Sequence, residues 1–172
     1  MVLLVAMLDD WKLCPRCGNQ LTRGDELVEC EACGFVFYAH SAVTASALPE
    51  DGDGRVLLAR RAFEPWRDQW DLVGGFLAEG EHPVDGLRRE VLEETGLELG
   101  PGRLLGVWMG DYDGRATLNL VWTGRVGVGE PRAADDVAEL RWFGADELPA
   151  ARELAFNGLV EEVLGAWRDE HA

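Results

Sequence analysis

One segment constrains this chain more than any other. Between Pro83 and Gly96 runs a strongly periodic helical stretch, PVDGLRREVLEET, set among strand-like runs. Proline suits a first helical turn, where its missing N–H has no partner in any case, and glycine suits the position just past the last turn. At ~100° per residue, Val84, Leu87 and Val91 form an apolar stripe. Glu90, Glu93 and Glu94 stand at i, i+3 and i+4 and so share one face, beside that stripe rather than opposite it. The predicted place of the three carboxylates is therefore the rim of a packed core, where a cleft can open. Leu92 points another way, which predicts that the helix is covered from two directions.

The flanking runs read as strands. Ser41–Leu48 and Arg55–Arg61 enclose the hairpin turn Asp51-Gly52-Asp53-Gly54, and Phe63–Gln69, with Pro65, reads as a loop. Trp70–Val73 is a short strand running into Gly74-Gly75. Arg103–Tyr112 and Ala116–Val126 form a hairpin around Asp113-Gly114, and Val137–Phe143 is a further strand. Residues 144–172 read as an acidic turn and a closing helix, Leu159–Trp167. Strands around one central helix, with a second helix last, predict an α/β fold over residues 39–172: a layered sandwich with a mixed sheet.

Three like charges on one helical face destabilise a bare helix, and a cation between them is the natural remedy. Carboxylate oxygens, with waters completing the shell, suit Mg²⁺ or Mn²⁺ rather than zinc. The plainer alternative is a solvated acidic face. The segment Gly75–Leu97 resembles the Nudix box, in which a glycine, a glutamate six residues on, Arg-Glu, a glutamate pair and a final glycine recur at fixed spacing. Those positions are Gly75, Glu81, Arg89-Glu90, Glu93-Glu94 and Gly96, with Val91 and Leu97 at the apolar positions. One departure is Val73, where the family often has proline.

The resemblance implies a Nudix-type α/β/α sandwich and a hydrolase that opens a pyrophosphate linkage by attack of water on phosphorus. It makes Glu90 and Glu94 the main metal ligands, Glu93 a further ligand or a base, and Arg89 the residue that orients a glutamate. The Gly75 carbonyl would complete the metal shell. For the general base it leaves several candidates: Glu93, or Glu139, Asp135 or Asp136 from a later loop.

All four cysteines fall within residues 11–38, as Cys14-Pro15-Arg16-Cys17-Gly18 and Cys30-Glu31-Ala32-Cys33-Gly34. Two C-x₂-C knuckles separated by twelve residues fit a tetrahedral structural Zn²⁺ site without an open position. Disulfides and a rubredoxin-like iron site are the alternatives. A zinc ribbon before the box is similar to the NADH pyrophosphatase branch of the family and to a group of ADP-ribose pyrophosphatase-like proteins. The first likeness breaks down after the box: the chain reads Gly106-Val107-Trp108-Met109-Gly110-Asp111-Tyr112 where that branch has a proline-rich segment. No proline lies between Pro101 and Pro131, so the proline of many ADP-ribose hydrolases is missing too.

Charge narrows the partners. With 32 acids against 16 bases the net charge is −16, which disfavours sequence-independent nucleic-acid binding. A nucleotide substrate would need cations or local arginines; Arg60, Arg61 and Arg67 are candidates, and Trp66, Trp70, Trp108 and Trp122 are candidates to stack a base. The apolar run Met1–Leu8 is far shorter than the ~20 residues of a membrane span and lacks a basic leader. It reads as a first strand, or as a start placed ahead of Met7, and the expected location is cytoplasmic. A homodimer is the expected assembly. The rival reading is a catalytically idle Nudix fold serving as a ligand sensor or regulator, but every box glutamate is present.

Overall fold

The structure, a computed structural model, describes residues 6–171. Met1–Val5 lie outside the described residues, and Ala6–Asp9 form a short helix, α1, where the sequence suggested a strand. The chain divides into two compact units: residues up to Ala42 together with Asp111–Ala116, and Val43–Gly110 with Thr117–Ala172.

The first unit contains a small antiparallel sheet of β1 (Thr22–Arg23), β2 (Leu27–Cys30) and β3 (Phe35–Tyr38), in that order. Its apolar content is slight. Val28 is fully buried, and Trp11 stacks on Phe37 with ring centroids 4.7 Å apart. So little core cannot stabilise an isolated module of this size, which leaves the cysteines to do so.

The larger sheet takes β4 (Ala42–Glu50), β5 (Val56–Arg61), β6 (Trp70–Asp71), β7 (Val73–Phe76), β8 (Leu99–Tyr112), β9 (Arg115–Val126) and β10 (Val137–Phe143). Its order is β10-β5-β4-β9-β8, with β6 paired to β5 and β7 to β4. Side-chain alternation along β5 feeds two cores. Val56 and Leu58 join Leu48, Val121 and Phe143 beneath Val160, Val163, Leu164 and Trp167 of α3 (Leu159–His171). Ala59 turns the other way and joins Ala45, Ala47 and Val73 beneath Leu87 and Val91 of α2 (Pro83–Thr95). A helix on each face gives the expected α/β/α layering. Each fully buried Leu or Val contributes about 1.5–3 kcal/mol of transfer free energy. Trp167, also fully buried, donates its Nε1–H to Glu50 Oε1 at 3.0 Å.

The central helix begins and ends where its punctuation placed it. His82 caps the start, its Nδ1 accepting from Val84 N–H at 3.3 Å. Gly96 closes the end at φ 70°, its N–H donating to Leu92 O at 2.9 Å. Cover from two directions is not what forms: Leu92 is 50% exposed, because the sheet meets only the Leu87–Val91 stripe. Other departures are local. Gly74-Gly75 lie inside β7 rather than after a strand, β8 starts at Leu99, and two short 3₁₀ turns, Ala151–Glu153 and Phe156–Gly158, precede α3. No helix among the described residues is long and apolar enough to cross a membrane.

Candidate active site and metal centres

In the smaller unit the two knuckles fold alike. Gly18 N–H returns to Cys14 O at 2.9 Å and Gly34 N–H to Cys30 O at 2.8 Å, so each C-x₂-C closes a tight turn. Cys14 Sγ lies 3.6 Å from Cys33 Sγ, and Cys17 Sγ 3.6 Å from Cys30 Sγ. All four sulfurs are within 4.8 Å of one another. Zn–S bonds of ~2.3 Å at tetrahedral angles set sulfurs ~3.8 Å apart, so the cluster fits zinc, and it is far too open for disulfides of ~2.05 Å. Asn19 Nδ2–H donates to Cys17 Sγ at 3.3 Å and helps pull that thiol down to about 6.

The carboxylates of the larger unit are organised differently. β7 runs antiparallel to β4, with Ser46 opposite Gly74 and Ala45 opposite Gly75. Gly74 sits at φ 145°, and a Cβ there would lie 2.4 Å from Ala45 O. A Cβ on Gly75 would lie 2.7 Å from Glu90 Oε1, so the bare backbone at this point is what admits the Glu90 carboxylate. Gly74 N–H donates to Glu94 Oε2 at 3.0 Å. The glycine pair thus seats two helix glutamates against a strand.

Arg89 gathers the remaining charge. It donates from Nε to Glu81 Oε1 at 2.8 Å, from Nη2 to Glu81 Oε2 at 3.0 Å, and from Nη1 to both Glu90 (2.7 Å) and Glu93 (3.0 Å). Its hydrogen bond holds the Glu81 carboxyl down at about 2. Burial raises Glu90 against that pull. Glu94, 5% exposed, goes furthest: burial, reinforced by the negative charge of Asp136, pushes its carboxyl up to about 9. A group so costly to ionise is well placed to receive a cation, and oxygen donors of this kind suit Mg²⁺ or Mn²⁺.

Glu94 opens on a recess of about 240 Å³, open solvent included, lined by Ala59, Arg61, Asp71, Leu72, Gly74, Asp136 and Val137. The loop before β10 reaches it by closing the end of α2. Arg132 N–H donates to Thr95 O at 2.8 Å and Ala134 N–H to Glu94 O at 3.1 Å, satisfying carbonyls that a helix end leaves unpaired. Asp135 takes a left-handed φ of 57°, and Asp136 O accepts from Ala62 N–H at 2.8 Å. These bonds set Asp136 beside Glu94.

Several sequence candidates are placed elsewhere. Glu139 faces Arg60 across β10 and β5, Arg60 Nη1 donating to its Oε2 at 3.2 Å. An irregularity between Val137 and Glu139 shifts the register, so that Glu139 and its partner Arg60 fall on the α3 side of the sheet while Val137 stays on the α2 side with Glu94. Trp70, 9% exposed, is a core residue packed edge-on against Phe143 at 5.0 Å, not a stacking surface. Trp108 is partly buried against the same α3-side core, and its ring fills the space over Gly106. Asp71 was missed, although alternation puts it on the side of Val73 and so of α2. The same alternation favours Arg61 over Arg60.

Known proteins match this arrangement. A family model described as NUDIX domain matches residues 40–161. An ADP-ribose pyrophosphatase of Methanocaldococcus jannaschii is 36% identical over 125 residues, 72% of each chain. An NAD-capped RNA hydrolase NudC of Stutzerimonas stutzeri is 26% identical over 89% of this chain, which spans only 56% of that longer protein. The crystal structure of a NUDIX hydrolase from Nitrosomonas europaea superposes with a TM-score of 0.78 at 26% identity, covering 92% of this chain and 91% of that one. The mixed-sheet α/β fold, the glutamate-bearing helix and these relatives agree: the chain belongs to the Nudix family of hydrolases.

Proposed function

We propose that the protein hydrolyses the pyrophosphate bond of a nucleoside diphosphate joined to a second group, with Mg²⁺ or Mn²⁺, and that ADP-ribose is its first substrate. The products would be AMP and ribose 5-phosphate, one water being consumed. The observation that carries this is Glu94: a carboxyl 5% exposed, on a recess it shares with Asp136, Asp71 and Arg61. The archaeal relative bearing the name ADP-ribose pyrophosphatase supports the choice of substrate, and the NudC relative makes NADH the second compound to try.

Glu90 and Glu94 would hold the cation, with Glu93 and the Gly75 carbonyl as further oxygens. Bound there, the cation supplies polarisation of phosphoryl oxygens and acidification of a bound water. Arg89 keeps Glu81, Glu90 and Glu93 in place through its hydrogen bonds. Asp136 takes the place of Glu139 as the carboxylate proposed to accept the proton from the attacking water, since it lies beside Glu94 on the recess. In the smaller unit, Cys14, Cys17, Cys30 and Cys33 would hold a structural zinc, the ribbon being the part expected over residues 11–38.

The test is monophosphate release with Mg²⁺ across ADP-ribose, NADH, diadenosine polyphosphates, sugar nucleotides and nucleoside triphosphates, with Glu94→Gln as the blank. Glutamine keeps the shape and can retain the Gly74 bond, so this variant should stay folded while activity falls about a thousandfold, the scale of one preorganised electrostatic group. Near-normal turnover in folded Glu94→Gln would overturn the metal assignment.

A further inference from the structure

The recess is lined by three carboxylates, Asp71, Glu94 and Asp136, and by one cationic side chain, Arg61. A nucleoside diphosphate brings further negative charge into it. Cations held by glutamates answer part of that charge, and the position of Arg61 answers another part.

Arg61 is fixed from several sides. Its Nη1 donates to Asp71 Oδ2 at 3.0 Å, both side chains being about seven-eighths buried at 13% and 15% exposure. Its Nε donates to Pro65 O at 2.9 Å, and its guanidinium lies 5.2 Å from the centroid of the Phe156 ring. Backbone bonds tie the same residue to the loop, Arg61 N–H to Gln69 O and Asp68 N–H to Arg61 O, each at 3.0 Å. The two segments that meet here are both strained. Trp66 and Asp68 in one, Phe156 and Asn157 in the other, adopt left-handed φ of 68°, 66°, 61° and 47°. Such conformations cost energy at non-glycine residues and persist where surrounding contacts over-determine them, often at binding sites. The two segments also touch through Trp66 and Phe156, ring centroids 6.2 Å apart. A surface arginine meant only for solubility needs none of this.

We propose that Arg61 contacts the diphosphate of the substrate from the wall of the recess, and that Asp71 is the positioning residue that holds its guanidinium there. This rests on the hydrolase reading above and adds a recognition element to it. A planar guanidinium braced on one edge by a carboxylate and on one face by an aromatic ring keeps its orientation, and so loses little freedom when it meets phosphate oxygens. Lysine at this place would keep the charge and lose the fork. The competing reading is a structural staple between β5 and β6, whose Ala59 and Asp71 are register partners.

The experiment compares wild type, Arg61→Lys, Asp71→Asn and the double variant in ADP-ribose hydrolysis, in equilibrium binding of ADP with Mg²⁺, and in thermal unfolding. The expected result is a rise of about tenfold or more in KM and in the ADP Kd for each single variant, the scale of one charge-assisted contact. The double variant should be no worse than Arg61→Lys, because Asp71 acts through Arg61. Asp71→Glu should recover part of the loss. Unchanged KM and ADP affinity in folded variants, with lowered melting temperature alone, would establish the staple and overturn the proposal. Should wild type hydrolyse none of the nucleotides, the hydrolase reading fails, and ADP binding still decides: loss in Arg61→Lys supports the contact, and equal binding overturns it.

Discussion

The four sulfurs of the ribbon stand within 4.8 Å of one another, both knuckles tied back on their own carbonyls, whereas the three glutamates of α2 are drawn apart. Arg89 takes Glu90 and Glu93, and Gly74 N–H takes Glu94, which turns into the recess. The four sulfurs converge on one point, with Cys14 and Cys30 buried beneath it. The carboxylate cluster has a recess, a second acid in Asp136 and a counter-charge in Arg89. A closed set of soft ligands suits a metal that holds a fold; an open set of hard ligands, partly balanced by an arginine, suits a metal that meets substrate. One chain carries both kinds of ligand set, and local packing sets them apart.

The sharpest way to break that contrast is to remove a sulfur ligand. If the proposed zinc holds the ribbon, Cys30→Ser should abolish zinc retention and expose the amides of β2 and β3 to rapid exchange. The Val43–Gly110 and Thr117–Ala172 unit should keep its own protection, because two helices and a seven-stranded sheet bury its core. Hydrogen exchange read by mass spectrometry checks both halves. Uniform loss of protection through α2 and α3 would show that the two regions do not fold on separate principles.

A smaller and graded effect separates the two sites by pH. The Glu94 carboxyl is raised from 4.5 to about 9 by burial and by Asp136, so without a cation the folded state binds a proton that the unfolded chain has lost. Its contribution to stability is therefore fully present below pH 4.5 and is lost as pH rises toward 9. Mg²⁺ must displace that proton, and its affinity should climb with pH, by up to about tenfold per unit, levelling off above about 9. Calorimetric titration of Mg²⁺ at pH 6, 7 and 8 measures the slope. A flat profile would mean that Glu94 is already ionised, and that its burial is not what shapes the site.

Much of this arrangement was legible from residues alone, for identifiable reasons. Helix α2 announces itself because Pro83 and Gly96 act locally and its stripe repeats at the helical period. The knuckles do so because the spacing within each C-x₂-C is itself the geometry of a ligand pair. What was not legible arises from tertiary pairing. Sequence offers Asp136 as one base candidate among several, and what singles it out is the closure of the α2 carbonyls by the Arg132 and Ala134 N–H groups, which sets it beside Glu94. Glu139 is turned away by a register shift after Val137 that periodicity does not record. Leu92 is uncovered because the sheet covers one stripe of the helix and not its back. Trp70, a stacking candidate by its place in the sequence, instead packs edge-on against Phe143 in the core.

The central claim is that zinc holds the ribbon while a separate, exchangeable cation at Glu90 and Glu94 supports hydrolysis. The most direct test passes the protein through a chelating resin, then measures bound zinc and ADP-ribose hydrolysis on the same sample before and after Mg²⁺ is returned. The account predicts one zinc retained per chain, no hydrolysis as isolated, and hydrolysis restored by Mg²⁺ with zinc content unchanged. Full activity without added Mg²⁺, or activity restored by Zn²⁺ alone, would contradict it.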